Sequence, residues 1–178
     1  MLELPLLTFD MDGVLCRPPF GINPGGSAKN SRTAAGKRDI LWLTERWRYC
    51  FRRPMPGAVD GFGALQLEYR CVVVTARGEA ARPLTERWFR HYFDEVPVIH
   101  MRPSWRERSG QFKARVIEEL KPIAHCEDDA FTAAWVAELV DRVFVVDWPR
   151  NRSLEGSNIT RIRTLREAAD VLRGGTQS

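Results

Sequence analysis

The sequence lacks the patterns of membrane, disulfide-stabilised and zinc-binding proteins. No apolar run approaches the roughly 20 residues that span a bilayer, and the first residues show no signal-peptide pattern. The four cysteines include no C-x-x-C pair, and no cluster of histidines and cysteines suggests zinc. These absences argue against a disulfide framework or a zinc site. We expect a reducing, cytoplasmic setting and no contact with membranes.

Charge of one sign is also not in large excess. The 27 basic and 23 acidic residues give a net charge of +4 and a pI near 9.1. This balance suits anionic partners such as nucleic acid ends, although a solvated basic surface is the simpler explanation. The 178 residues, 44% of them hydrophobic, fit one globular domain over 1–178 with a small insertion.

Short apolar runs alternate with amphipathic segments along the chain. The runs show no polar alternation, which is typical of strands buried on both faces of a parallel sheet. We predict an α/β, three-layer, Rossmann-like fold with a five-stranded parallel sheet and a small cap inserted after strand 1. The predicted strands are 6–9, 71–76, 96–101, 123–126 and 143–146, and the predicted helices include 79–93, 110–120, 131–140 and 164–173.

The span 17–68 interrupts this alternation. Its first half is rich in Pro, Gly, Ser and charged residues, and 40–51 has the pattern of a short amphipathic helix. Because loops of this length in compact domains are usually functional or disordered, we interpret the span as a cap over the site, with a surface insertion as the alternative. Trp42, Trp47 and Phe51 are expected to pack the cap onto the core, and stacking on a base is their alternative role.

Acidic and phosphate-binding residue types follow the predicted strands. Asp10 and Asp12 follow the first, Thr75 ends the second, the acidic run 127–129 follows the fourth, and Lys113 lies on the preceding helix. Ligands of open parallel sheets bind beyond the carboxyl ends of the strands. Crowded carboxylates favour a bound Mg²⁺, and together with a hydroxyl and an ammonium they suit phosphoryl transfer, in which one acid attacks phosphorus and another moves the proton.

These motifs resemble those of the haloacid dehalogenase (HAD) superfamily of phosphohydrolases. "TFDMDGVL" resembles the first motif, "VVVTAR" the second, the helix around Lys113 the third and "HCEDDAF" the fourth. All four occur in the family's order, over roughly 6–147. The acid at position 12 favours phosphatases and phosphomutases, because dehalogenases of this family lack it and transport ATPases carry Thr there.

The resemblance implies a catalytic set of Asp10, Asp12, Thr75 and Lys113. Asp10 is expected to be the nucleophile that forms an aspartyl-phosphate, and Asp12 the general acid and base. Thr75 and Lys113 are expected to hold the phosphoryl group. No histidine receives a catalytic role.

The same resemblance implies a Mg²⁺ site. Asp10 and the backbone carbonyl of Asp12 are expected ligands, and Asp128, with Asp129 beside it, is expected to complete the site. Which acid of the run 127–129 binds the ion directly stays open, with Asp128 favoured and Glu127 as an alternative.

The substrate is less sharply indicated. The "TAR" turn and the later "HMRP" resemble the 5'(3')-deoxyribonucleotidases and the phosphatase domains of polynucleotide kinase-phosphatases. This resemblance implies a phosphate ester of a nucleotide or nucleic acid end, with Arg77, Arg102 and Arg53 near the site mouth and Arg52 beside them. Surface charge is the alternative role of each arginine.

Other functions remain open at this point. One alternative is a phosphatase for a sugar phosphate or another small metabolite. A second is a non-catalytic module that binds nucleic acid on the same fold, which the retained catalytic set argues against. A third is a mutase that passes the phosphoryl group to a second substrate. Protein partners and oligomeric state are not indicated by the sequence.

Overall fold

A computed structural model describes residues 3–18, 49–104 and 106–175. In this part of the chain, all strands run parallel in one sheet, in the spatial order β3-β2-β1-β4-β5-β6. The strands are Leu6–Phe9 (β1), Arg70–Gly78 (β2), Val98–Arg102 (β3), Ala124–Glu127 (β4), Arg142–Val146 (β5) and Ile159–Ile162 (β6).

The α/β fold with a parallel sheet is confirmed, but the predicted count of five strands is wrong because β6 was missed. β6 pairs with β5 at one edge of the sheet. Only Ile162 of its four residues is buried. An edge strand is less buried than a central one and can carry polar residues. It therefore lacks the uniformly apolar run from which the other strands are predicted.

Helices cover both faces of the sheet. They are Ala58–Gln66 (α1), Arg82–Tyr92 (α2), Ser109–Leu120 (α3), Ala130–Val136 (α4) and Leu165–Gly175 (α5), and 3₁₀ turns lie at Glu79–Ala81 and Pro149–Asn151.

Side chains of successive strand residues enter different cores, as the period of two requires. Phe9 and Val73 pack with α1, α2 and α5 on one face. Val72 and Val74 pack with α3 on the other face, and Val143 packs there with α3 and α4. The domain therefore has three layers, with the sheet in the middle.

The strand order changes direction beside β1. β2 and β3 follow on one side of β1, whereas β4, β5 and β6 follow on the other. A crevice at the carboxyl ends of the strands is typical of such a switch point, and it is the preferred ligand site of open α/β sheets. Asp10 directly follows β1 at this point.

Most of the span predicted as a cap lies outside the described residues. These undescribed residues include Trp42 and Trp47, and the cap over 17–68 stays a prediction. At the end of the span, Phe62 and Leu65 of α1 are buried in the core. Among the helices that the structure describes, none combines the length and apolarity needed to cross a bilayer.

Candidate active site

The segment after β1 forms a tight turn that carries two acids. The Asp10 amide donates to the Cys126 carbonyl at 2.8 Å, which extends the pairing of β1 with β4 by one residue. The amides of Leu15 and Cys16 both donate to the Met11 carbonyl. Gly13 has φ 99°, a backbone conformation that residues with a Cβ atom rarely adopt. The glycine of D-x-D-G is therefore required by the turn.

Asp10 belongs to a buried cluster of acids around one ammonium group. Lys113 Nζ lies 2.9 Å from Asp10 Oδ1 and 2.7 Å from Glu127 Oε2. One carboxylate oxygen each from Asp10, Glu127 and Asp128 lies within 4.8 Å of the others. None of these four residues is more than 5% exposed. β1, β4 and α3 thus bring together side chains that are up to 118 positions apart in the sequence.

Burial and charge act differently on the members of this cluster. Burial raises the pKa of Asp10 to about 7, although Lys113 opposes the shift. Burial and the neighbouring Glu127 also raise the pKa of Asp128 well above its usual range. Burial acts on Glu127 in the same direction, but Lys113 and His125 outweigh it and hold the pKa of Glu127 below its usual range. Lys113 stays charged, because the two acids raise its pKa despite burial.

The donor set fits a hard divalent cation. When all three are ionised, Asp10, Glu127 and Asp128 carry three negative charges, of which the contacting cations Lys113 and Arg150 balance two. The remaining negative charge, in a site that water barely reaches, favours a bound cation with oxygen ligands.

The hydrogen bonds distinguish the three acids of the run 127–129. Glu127 Oε1 accepts from the amides of Asp128 and Asp129, and its Oε2 accepts from Lys113. Asp129 Oδ2 accepts from the amide and hydroxyl of Thr132, and it caps α4. Asp128 is the member of the run that lies beside Asp10 without either of these structural tasks, so it is the best candidate for direct metal contact.

Asp12 lies in a different environment, held by arginine. Arg77 Nε and Nη2 donate to the two carboxylate oxygens of Asp12 at 2.8 and 2.7 Å. Arg77 is only 2% exposed, and its Nη1 also donates to Thr85 Oγ1. Arg52 Nη1 lies 3.9 Å from Asp12 Oδ1. The ring of Tyr49 covers the Arg77 guanidinium at 4.2 Å.

Among the other predicted site residues, Thr75 lies within β2, which continues to Gly78, so the prediction that it ends the strand is wrong. It follows by two residues the Val73 that pairs with Phe9, and it is 1% exposed. Arg77 clamps Asp12 instead of facing the site mouth. Arg53 is exposed, and its carbonyl pairs with the Arg17 amide, so Arg52 is the neighbour that reaches the site.

Arg102 lies on β3, at one edge of the sheet. It ends β3, which is two strands from β1, and strands are spaced about 4.8 Å apart. Its Nη1 donates to the Glu107 carbonyl.

Sequence reasoning missed the residues that follow β5. Arg150 Nη2 donates to a carboxylate oxygen of Asp128, and Asn151 Nδ2 donates to the Asp128 carbonyl at 2.9 Å. Trp148 Nε1 donates to the Gly13 carbonyl at 3.2 Å, and the Arg150 guanidinium lies over the Trp148 ring. The strand-end rule used for Asp10 would have found this segment, because β5 is the neighbour of β4.

A buried histidine supports the cluster from within the sheet. His125 is fully buried, and its Nδ1 lies 2.9 Å from Thr8 Oγ1. Its Nε2 lies 3.4 Å from Glu127 Oε2. Burial lowers the pKa of His125, so the ring is neutral at physiological pH and adds no charge to the site.

Phe51 does not pack onto the core. Its relative exposure is 101%, and its φ of 57° is unusual for a bulky residue. The expected packing role is therefore wrong for this residue.

Comparison with known proteins shows which solved structures have a similar fold. No family model matches the chain, and no curated protein sequence matches it. A D,D-heptose 1,7-bisphosphate phosphatase from B. bronchiseptica, complexed with magnesium and phosphate, matches with a TM-score of 0.59 at 13% identity, over 97% of this chain and 99% of the other. A haloacid dehalogenase-like hydrolase from Streptococcus pneumoniae matches with a TM-score of 0.62 at 13% identity, over 97% of this chain and 100% of the other.

A third structure is the Pnkp1/Rnl/Hen1 complex. It matches with a TM-score of 0.57 at 18% identity, over 83% of this chain but only 48% of the other. Identities in this range establish architecture and not reaction. The chain has the fold of the HAD-superfamily hydrolases, and its structural neighbours are hydrolases and phosphatases of that superfamily.

Proposed function

We propose that this protein is a Mg²⁺-dependent phosphatase that hydrolyses a phosphomonoester of a nucleotide or nucleic acid end through an aspartyl-phosphate on Asp10. The observation that carries the proposal is the contact of Lys113 with both Asp10 and Glu127, beside Asp128, at the carboxyl ends of β1 and β4. Phosphoryl transfer requires mainly positioning and charge stabilisation, and this cluster offers both.

Asp10 is the proposed nucleophile. One carboxylate oxygen forms a bond to phosphorus while the ester P–O bond breaks and its electron pair leaves with the alkoxide. The 2.9 Å contact with Lys113 holds the carboxylate in place and keeps a positive charge beside the phosphoryl oxygens. Thr75 of β2, the strand beside β1, is proposed to donate its hydroxyl to one of those oxygens.

The proposed Mg²⁺ ligands are the carboxylates of Asp10 and Asp128 and the backbone carbonyl of Asp12. When bound, the ion would neutralise the acids and polarise the phosphoryl group. Glu127 is proposed to position Lys113 and not to bind the ion, because its oxygens already accept from Lys113 and two amides.

Asp12 is proposed to move the proton. Its two bonds from Arg77 favour the ionised carboxylate, which is the form that accepts a proton from water when water attacks the aspartyl-phosphate. That second attack breaks the bond between Asp10 and phosphorus and releases inorganic phosphate. Asp12 then carries the proton that the next leaving alkoxide takes up.

The proposed substrate class has weaker support than the reaction. Arg52 beside Asp12, the exposed Arg53 and the net charge of +4 suit an anionic ester with further phosphates or a nucleoside. The match to the Pnkp1 complex agrees with a nucleic acid end. The match to a heptose bisphosphate phosphatase over nearly the full length of both chains favours sugar phosphates as the second candidate class.

The test is phosphate release by wild type and Asp10→Asn, with Mg²⁺ and with a chelator. Substrates are an aryl phosphate, nucleoside 5'- and 3'-monophosphates, 3'-phosphorylated oligonucleotides and sugar phosphates. Asp60→Asn, at an exposed acid in the first turn of α1, serves as the matched control. We expect Mg²⁺-dependent release that Asp10→Asn abolishes and Asp60→Asn leaves unchanged.

Two results would contradict the proposal. Turnover that persists in Asp10→Asn would exclude the aspartyl-phosphate. Salt-dependent nucleic acid binding by a folded wild type that releases no phosphate would support the binding module instead. Preference for sugar phosphates over every nucleotide would retain the reaction and replace the substrate class.

A further inference from the structure

Two cations balance the acids of the proposed metal site, and they are held in different ways. The Lys113 side chain is 4% exposed, and its Nζ contacts both Asp10 and Glu127. The Arg150 side chain is 20% exposed, and among the described residues it forms an ion pair with Asp128 alone. Its Nε is buried, and no described residue accepts a hydrogen bond from it. Lys113 is therefore fixed in the cluster, whereas Arg150 has one acidic partner and lies partly in solvent.

Arg150 contacts the carboxylate that is the best candidate for direct metal contact. Its Nη2 donates to Asp128 Oδ2 and, at 3.3 Å, to the Asp128 carbonyl. One carboxylate oxygen of Asp128 lies within 4.8 Å of a carboxylate oxygen of Asp10 and of Glu127. A guanidinium on this carboxylate reduces its attraction for a metal ion and repels the ion directly. Arg150 and Mg²⁺ are thus competitors for Asp128.

The charges of the cluster favour exchange over joint binding. When ionised, its three acids carry one negative charge more than Lys113 and Arg150 balance. Mg²⁺ added beside both cations would change this to one excess positive charge, whereas Mg²⁺ in place of Arg150 gives a neutral cluster. Because unbalanced charge is costly where water is scarce, the neutral arrangement is the more stable one.

The backbone beside Arg150 is held in place, so the exchange requires only its side chain to move. Asn151 Nδ2 donates to the Asp128 carbonyl at 2.9 Å, and Asn151 Oδ1 accepts from Arg161 Nη1 at 2.7 Å. The Arg150 guanidinium lies over the Trp148 ring, 5.2 Å from its centroid. Departure of the guanidinium therefore changes the surroundings of this ring.

We propose that Arg150 is a resident counter-ion that Mg²⁺ displaces from Asp128, and that it sets the affinity of the site for the ion. This inference rests on the Mg²⁺ site of the proposed function and holds for any phosphate ester. A monovalent ion in place of Arg150 would exchange one positive charge for another, so the arrangement favours divalent ions. The alternative is that Arg150 holds Asp128 in position for the ion, in which case its removal would weaken binding.

Isothermal titration calorimetry with Mg²⁺, in the absence of substrate, distinguishes the two roles. We expect Arg150→Met to strengthen Mg²⁺ binding about tenfold, because the ion no longer displaces a charge-assisted hydrogen bond. Arg150→Lys keeps a positive charge and is expected to bind Mg²⁺ less tightly than Arg150→Met. Arg152→Met, at a 63% exposed arginine that pairs with Asp147, is the matched control and is expected to bind like wild type. Weaker or unchanged binding in Arg150→Met overturns the proposal.

Thermal unfolding separates competition from a general structural role. We expect Arg150→Met to lower Tm in chelator, where Asp128 loses its counter-ion. At saturating Mg²⁺ the same variant is expected to have the wild-type Tm, because Arg150 has already left Asp128. An equal loss of Tm under both conditions overturns the proposal, since Arg150 would then keep its contact in the loaded protein.

A measurement on wild type does not depend on the folding of a charge variant. Release of the guanidinium from the Trp148 ring should change tryptophan emission when Mg²⁺ is added, and Trp148→Phe should lack this change. Constant emission while calorimetry records binding overturns the displacement. A folded wild type that binds no Mg²⁺ overturns this inference and the proposed metal site together. Displacement by Mg²⁺ without release of phosphate from any ester supports this inference and overturns only the proposed reaction.

Discussion

Asp10 and Asp12 are two positions apart in the sequence, yet the fold gives them opposite surroundings. The Asp10 side chain is 7% exposed and contacts one ammonium group among several acids. The Asp12 side chain is 28% exposed and accepts hydrogen bonds from Nε and Nη2 of Arg77. Burial raises the pKa of Asp10 to about 7. Asp12 instead accepts a hydrogen bond from the Arg77 guanidinium on each of its carboxylate oxygens.

The difference indicates a division of labour between the two acids. The Asp10 cluster keeps an excess of negative charge, which a divalent cation can satisfy. Asp12 already has a permanent counter-ion, so it does not depend on the metal for its charge. One turn can therefore provide a metal-dependent nucleophile and a metal-independent proton carrier.

The largest effect is expected on the turnover of p-nitrophenyl phosphate when each of the two acids is replaced in turn. Asp10→Asn should lose at least about 10⁴-fold in turnover, because no nucleophile remains. Asp12→Asn should lose about 10²- to 10⁴-fold in steady-state rate but keep a burst of p-nitrophenol, because this leaving group needs no proton. Rapid-quench or stopped-flow kinetics measures the burst. Loss of the burst in Asp12→Asn would place both acids in the first step.

A large loss of stability is expected from Lys113→Met. It leaves Asp10 and Glu127 buried without their shared cation, which typically costs about 3–5 kcal/mol of unfolding free energy. Arg82→Met, which removes a surface pair with Glu79, should cost less than about 1 kcal/mol. Urea unfolding in the presence of a chelator measures both. Equal effects of the two variants would show that the buried cluster is not electrostatically special.

The contribution of Asp10 to the stability of the metal-free protein should fall as pH rises. Its folded pKa of about 7 lies above the ordinary value of 3.8, so the folded state binds this proton more tightly than the unfolded state. The favourable contribution is therefore complete below about pH 4 and is lost as pH rises to about 7. Relative to wild type, Asp10→Asn should gain about 2–4 kcal/mol across this window.

Unfolding of both proteins over a pH series, in chelator, measures this gain. Added Mg²⁺ should reduce it, since the ion favours the ionised Asp10. A constant difference between the two proteins at all pH values would contradict the burial effect on Asp10.

The smallest expected effect is on Mg²⁺ binding, and it distinguishes the acids of the run 127–129. Asp128→Asn should weaken Mg²⁺ binding on the order of 10–100-fold. Asp129→Asn should leave it within about twofold, because asparagine is also a good N-cap for α4. Isothermal titration calorimetry with Mg²⁺ alone measures both, without any substrate. A larger loss in Asp129→Asn would exchange the roles of the two residues.

Most of the fold was predictable because its signals are local. The buried strands β1, β2, β4 and β5 coincide with short, mostly apolar runs, and the helices carry apolar residues at helical spacing. The edge strand β6 was not predicted because its sequence, ITRI, has two polar residues between the isoleucines and only one buried residue. α4 ends at Val136, four residues before the predicted end, although the apolar pattern continues into the following turn.

The site was predictable as a set of residue types but not as a set of contacts. The strand-end rule indicated Asp10, Thr75 and the acidic run without any knowledge of distances, and Lys113 was added from the helix that precedes β4. It gave no reason for Arg77 to clamp Asp12 from 65 positions away. It also did not distinguish Arg52 from Arg53, since neighbours in an extended segment face different sides.

The sequence by itself determined most of the strands and which acidic and phosphate-binding residue types lie near their ends, because periodicity and turn residues act over a few positions. Only the tertiary structure decided which acid is buried with Lys113, which is clamped by Arg77 and which caps a helix. Those outcomes depend on burial and on charges distant in sequence. The exposure of Phe51 was decided at the same level, since it reflects what the folded chain leaves uncovered.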